Sequence, residues 1–219
     1  MIYVKKTGGA FMKKLLCVLL SAFVLFASSC GTVIPERAAF TKGTIDNNVY
    51  ENKLAGIRFS PGPAWTFSSE ESLLKMNGID ESLAGDDDAV TEKLNELTTI
   101  YDMTAEDERQ GISVAVTFEN MSLYVGGSDA TVDEYVLKLK GELEKTFENY
   151  DVKVTLGDSV KIVDDEYSQV DVLMTVADSA VEQFYYVRKV GDFIISISIT
   201  AAEGSGAENT VLSMFEPAE

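Results

Sequence analysis

From Val152 to Thr200 the chain is built on a period of two. Phe193, Ile195, Ile197 and Ile199 recur at every second residue, as do Val170, Val172, Met174 and Val176, then Phe184 with Tyr186, and Val152, Val154 and Leu156. That spacing puts one apolar side on an extended strand, because successive side chains point to opposite faces. The breaks at Asp164-Asp165-Glu166, Ala177-Asp178-Ser179 and Gly191-Asp192 are short enough for hairpin turns. The stretch therefore predicts an antiparallel meander and disfavours parallel βαβ winding. Residues 111–119 add a strand with one buried face, Ile112, Val114, Val116 and Phe118 alternating with Ser113, Ala115, Thr117 and Glu119.

Helices are predicted around these strands. Thr131 and Glu134 make a capping box, and Val132, Tyr135, Val136, Leu139, Leu143 and Phe147 fall on one helical stripe behind it. The pair Glu134 and Lys138 adds only a few tenths of a kcal/mol, so burial of the stripe decides the helix. A second helix is expected at 88–98, with Val90, Leu94 and Leu97 on one side, and shorter ones at 69–76 and 207–215. Helices flanking an antiparallel sheet give an α+β fold, an α/β/α sandwich. No linker divides the chain after Thr44, so residues 44–219 are expected to form one domain.

The first thirty residues carry an address. Lys13 and Lys14 precede an apolar run, Leu15 to Ala27, broken only by Ser21. Such a run falls short of the roughly 20 residues of a membrane-spanning helix and has the layout of a secretory signal. Ala27-Ser28-Ser29-Cys30-Gly31 resembles the bacterial lipobox, although Ala27 replaces the usual leucine. This layout predicts a signal peptide at 1–29, lipid attachment at Cys30, and a tether to Gly43 that spans at most about 45 Å. Two acyl chains make a stable anchor, which places the protein in the cell envelope on the extracytoplasmic face of a bacterial membrane. The competing reading is ordinary cleavage with a stray cysteine. Met12, directly before Lys13, competes with Met1 as the natural start.

Composition excludes several chemistries. The chain has no histidine, which removes Ser-His-Asp and Cys-His nucleophiles and imidazole metal sites. Its two cysteines are Cys17 and Cys30, so nothing beyond Cys30 forms a disulfide or a thiolate site. After the leader, 14 basic residues face 36 acidic ones, a formal charge of -22. Nucleic acid and direct binding to anionic headgroups are therefore disfavoured. Asp86-Asp87-Asp88 lacks the spacing of a calcium loop and reads as a helix N-terminus; Asp164-Asp165-Glu166 reads as a turn. Ser72-Leu73-Leu74-Lys75 matches an S-x-x-K pattern, but the only Lys-Thr-Gly, Lys6-Thr7-Gly8, precedes the cleavage site. No catalytic residue, metal site or cofactor is expected. Paired carboxylates leave one alternative, a histidine-independent hydrolase acting on an envelope or extracellular glycan.

Tyr50-x-Asn52, then Gly56-Ile57-x-Phe59-x-Pro61 and Trp65, resemble the opening of PsbP-like domains of bacterial lipoproteins. The far end is similar too: a last strand, Phe193 to Thr200, then a short helix with Val211, Leu212, Met214 and Phe215. The resemblance covers residues 44–216. It implies a first hairpin and an antiparallel sheet between helical layers, the fold shared by the photosystem subunit PsbP and a Ran-binding nuclear import factor. Both are binding proteins, and no catalytic residue comes with the family. The leading expectation is thus a non-catalytic, lipid-anchored binding or accessory domain whose partner is an envelope protein or glycan. Tyr50 and Trp65, with Phe59, are candidate partner-contact aromatics; because Phe59 and Trp65 flank Pro61-Gly62-Pro63, the sequence favours a strand end and a turn whose aromatics tuck beneath the sheet.

Overall fold

A computed structural model describes residues 39–176 and 179–219. The leader, Cys30, residues 31–38 of the expected tether, and Ala177 and Asp178 lie outside the described residues. No helix among the described residues is long and apolar enough to cross a membrane.

Two antiparallel sheets organise the chain. The smaller is ordered β1 (Thr44–Asp46), β2 (Val49–Asn52), β3 (Ile57–Phe59) and β12 (Phe215–Pro217). β2 and β3 form the expected first hairpin. The larger sheet runs β4 (Thr66–Phe67), β5 (Thr99–Asp107), β6 (Ile112–Asn120), β11 (Phe193–Ala202), β10 (Ser179–Val190), β9 (Asp165–Val176) and β7 (Asp151–Leu156). β8 (Val160–Ile162) also pairs with β9.

The meander forms where the alternation predicts it, with two differences. β7 and β8 do not pair with each other: both lie along the 12-residue β9, at Leu156↔Val170 and Val160↔Tyr167. The turn expected at Asp164-Asp165-Glu166 is shifted. Asp165 and Glu166 pair with Ile162 and Lys161, leaving Val163 and Asp164 as the turn, with Val163 at φ 58°.

β5 escapes the period-two reading because it contains a bulge. Ile100 opposes Phe118 and Met103 opposes Val116, so Tyr101 and Asp102 share the space opposite Thr117. One extra residue breaks the alternation and redirects a side chain.

Local signals set the helices. α1 (Glu70–Met76) is capped by Ser69, and α2 (Asp87–Asn95) by Asp86, whose carboxylate accepts the Ala89 N–H. The acids at 86–88 therefore stand at a helix N-terminus. α3 (Val132–Thr146) has both halves of its capping box. α4 (Ala207–Leu212) is shorter than expected: Phe215 opens β12, stacks 4.8 Å from Phe59, and makes β12 rather than β11 the last strand.

The large sheet is covered on both faces, so the expectation of one buried face for residues 111–119 is corrected: Ala115, Thr117 and Glu119 are buried as well. One face, with Val114, Val116, Ile195 and Ile197, packs on the small sheet and the short helices. The other packs Val170, Val172, Met174 and Tyr185 against Tyr135, Leu139 and Leu143 of α3. The fold is α+β with an antiparallel sheet between helix-bearing layers; the layer opposite α3 also contains the small sheet. Residues 40–43 belong to this body rather than to the tether, since Phe40 is 2% exposed and lies 5.0 Å from the Phe118 ring.

Candidate functional site

The β5 bulge aims Asp102 at the junction of the large sheet, the small sheet and residues 40–43. Its Oδ2 accepts from the Tyr50 hydroxyl at 2.6 Å and from Asn52 Nδ2 at 2.7 Å, and the Gly43 N–H reaches both oxygens at 3.0 Å. Asn52 also donates to the Thr41 carbonyl, tying the same segment down. Burial pushes the Asp102 carboxyl above its ordinary range, opposed by the bonds from Tyr50, Gly43 and Asn52 and by the charge of Lys42. Gly43 is required by close approach: a Cβ there would lie 2.4 Å from Tyr50 Cε2 and 2.6 Å from Asp102 Oδ2.

Beside this knot lies a cavity of about 810 Å³ walled by residues 40–45, α1 and α2. Leu73, Leu74, Val90 and Leu94 give it apolar walls, and Lys42 crosses its polar side. Lys42 Nζ bonds Glu70 at 2.8 Å and Asp87 at 2.7 Å. Burial alone would lower the Lys42 pKa, but the hydrogen bonds and charges of Asp87 and Glu70 outweigh it and raise it. Asp87 is held below the ordinary carboxylate range by Lys42. Phe40 N–H donates to Asn95 at 2.7 Å, fastening the wall to the end of α2.

A second buried carboxylate, Glu119, accepts from the Tyr135 hydroxyl at 2.6 Å and borders a cavity of about 360 Å³ with Tyr124 and Lys138. Burial raises its pKa, opposed by bonds to Tyr135 and Tyr124 and by the Lys138 charge. Asp102 points to the small sheet and Glu119 to α3, so the sheet stands between them. Glu70 and Asp87 are committed to Lys42. These carboxylates are arranged to hold segments together rather than to share a scissile bond between them.

The candidate contact aromatics are corrected. Tyr50 is 0% and Trp65 5% exposed, and the Trp65 ring meets Phe59 at 5.5 Å, so both are core side chains. Ser72 is bonded to the α1 cap Ser69. Lys42, Gly43, Asp102 and Glu119 escape sequence reasoning as site residues; the one local signal is an aspartate inside the apolar run Ile100 to Met103.

No protein-family model matches the sequence, and no curated protein matches it. Among solved structures, cyanobacterial PsbP (CyanoP) from Synechocystis sp. PCC 6803 is similar at 14% identity and a TM-score of 0.46, over 87% of this chain and 98% of that one. A crystal structure from Bacteroides thetaiotaomicron VPI-5482 is similar at 9% identity and a TM-score of 0.41, over 81% of this chain and 48% of that one.

Proposed function

We propose that this protein is a non-catalytic binding module of the cell envelope, lipid-anchored at Cys30, which receives its ligand or partner in the cavity walled by residues 40–45, α1 and α2. The observation that supports it is the cavity itself: about 810 Å³, apolar walls, and a few converging polar groups, with Lys42 held between Glu70 and Asp87. That combination suits recognition. Acid–base chemistry needs a carboxylate facing substrate, and here each is held by partners within the fold. The nine residues from Cys30 to Ala39 reach at most about 30 Å, so the wall begins close to the bilayer.

A photo-crosslinking residue placed at Ile45, on the cavity wall, tests this in intact cells. A discrete adduct is expected, lost when Leu73→Trp fills the cavity. The same adducts from Leu137 on the outer side of α3, or an Ile45 adduct that survives Leu73→Trp, would contradict the reading. Cys30→Ala is expected to release the protein from membranes, and retention would remove the anchor.

A further inference from the structure

α3 packs mainly on β7, β9 and β10, and the same face of the sheet continues beyond it across β5, β6 and β11. There the register sets side chains in rows that are neutral apart from Glu106. Glu106, Ser113, Thr200 and Gln183 stand side by side across four strands, and Thr104, Ala115 and Ser198 form the next row. With Tyr101, Phe67 and Met76 at its margin, this patch surrounds a cavity of about 210 Å³.

We propose that this hydroxyl-lined depression binds a neutral pyranose sugar ring. Charge is the first argument. A quarter of the chain is charged, yet Glu106 is the single charged side chain of the lining among the described residues, and Thr104, Thr117, Gln183 and Thr200 are buried there as neutral donors and acceptors. Hydroxyls both donate and accept, as those of a sugar do. Thr200 Oγ1 accepts from Gln183 Nε2 at 3.0 Å, and Gln183 is itself fixed by the Tyr185 hydroxyl at 2.7 Å. The Thr200 proton is thereby left to donate outward.

In the third row Thr117 lines the depression, while its cross-strand neighbour Ser196, 2% exposed, does not. Size decides between one ring and a chain: the depression is smaller than the roughly 300–1,000 Å³ of drug-sized sites. Aromatic margins at Tyr101 and Phe67 suit the C–H face of such a ring. A lone Glu106 accepts from sugar hydroxyls but lacks the second carboxylate of a glycosidase.

The two depressions share Phe67, Ser68 and Tyr101 as a common wall, but Thr117 and Thr200 line only this one. The inference is therefore separable from the cavity reading. The test titrates the membrane-extracted protein, in a zwitterionic detergent free of sugar, with glucose, N-acetylglucosamine and anionic glucuronate. Saturable binding of a neutral sugar is expected, with glucuronate weaker. Thr117→Val and Thr200→Val, which preserve shape and strand preference, should each weaken binding by about tenfold through a lost hydrogen bond. Leu73→Trp should leave it unchanged. Maltotriose binding more tightly than glucose assigns the ring to a glycan chain, and equal binding assigns it to a free sugar or a chain end. Absence of saturation by either neutral sugar, glucuronate binding as tightly, wild-type affinity in Thr200→Val, or loss of binding in Leu73→Trp would each overturn the proposal.

Discussion

Asp102 and Glu119 sit on neighbouring strands, are both buried, and both have carboxyl pKa values raised by burial, yet they do different work. Asp102 collects a backbone N–H from residues 40–43 and a phenol and an amide from the small sheet, and so joins β5 to the stretch from Gly43 to Asn52, fifty or more residues earlier. Glu119 collects the phenols of Tyr135 and Tyr124 and borders a cavity, so it fastens the start of one helix and the turn before it, all within sixteen residues of itself. A buried charge is tolerated where donors converge on it, and its structural importance follows how far along the chain those donors lie.

The sharpest break of that contrast is truncation. Asp102→Ala strands the Tyr50 hydroxyl, the Asn52 amide and the Gly43 N–H, and should lower unfolding free energy in urea by about 3–5 kcal/mol. If Glu119→Ala cost as much, the distinction between the two acids would vanish. Gly43→Ala drives a methyl into Tyr50 and Asp102 and should cost about 1–3 kcal/mol by the same measurement. Glu119→Gln retains an acceptor for Tyr135 and should cost about 1 kcal/mol.

A smaller effect is the pH dependence of stability. A carboxyl whose folded pKa is raised is still protonated when the unfolded chain has already ionised. Its contribution to stability therefore falls as pH rises from the ordinary carboxylate value to the folded pKa, and is flat on either side. Asp102→Asn should remove that fall from the urea midpoint plotted against pH; an unchanged profile would mean that Asp102 ionises in the fold as it does in water. The smallest change is expected for Lys42→Met, whose ion pairs with Glu70 and Asp87 are partly exposed and screened by salt.

The legible parts of the sequence are those whose cause is local. Thr131 and Glu134 satisfy helix amides within one turn, and Phe193 to Ile199 alternate because a strand does. β5 is hidden because its bulge inserts Asp102 into the alternation, and β12 because three residues carry no period. Tyr50 and Trp65 show the limit from the other side: an aromatic in a short strand or beside a Pro-Gly-Pro turn has the same local sequence whether it faces a partner or, as here, Asp102 and Phe59. The hydroxyl patch is equally silent, because Ser198 and Thr200 read as the plain outward side of β11.

By itself the sequence determined the antiparallel strands, the caps of the longer helices, and the exclusion of histidine and cysteine chemistry, since these depend on neighbours a few residues away or on mere presence. The tertiary structure alone decided that both faces of the large sheet are covered, that residues 40–43 close onto Asp102, and that scattered hydroxyls line one depression. Those outcomes come from contacts between residues some fifty or more positions apart, as with Gly43 and Asp102 or Tyr50 and Asp102. No local pattern encodes such pairings, because their free energy appears only when the whole core closes.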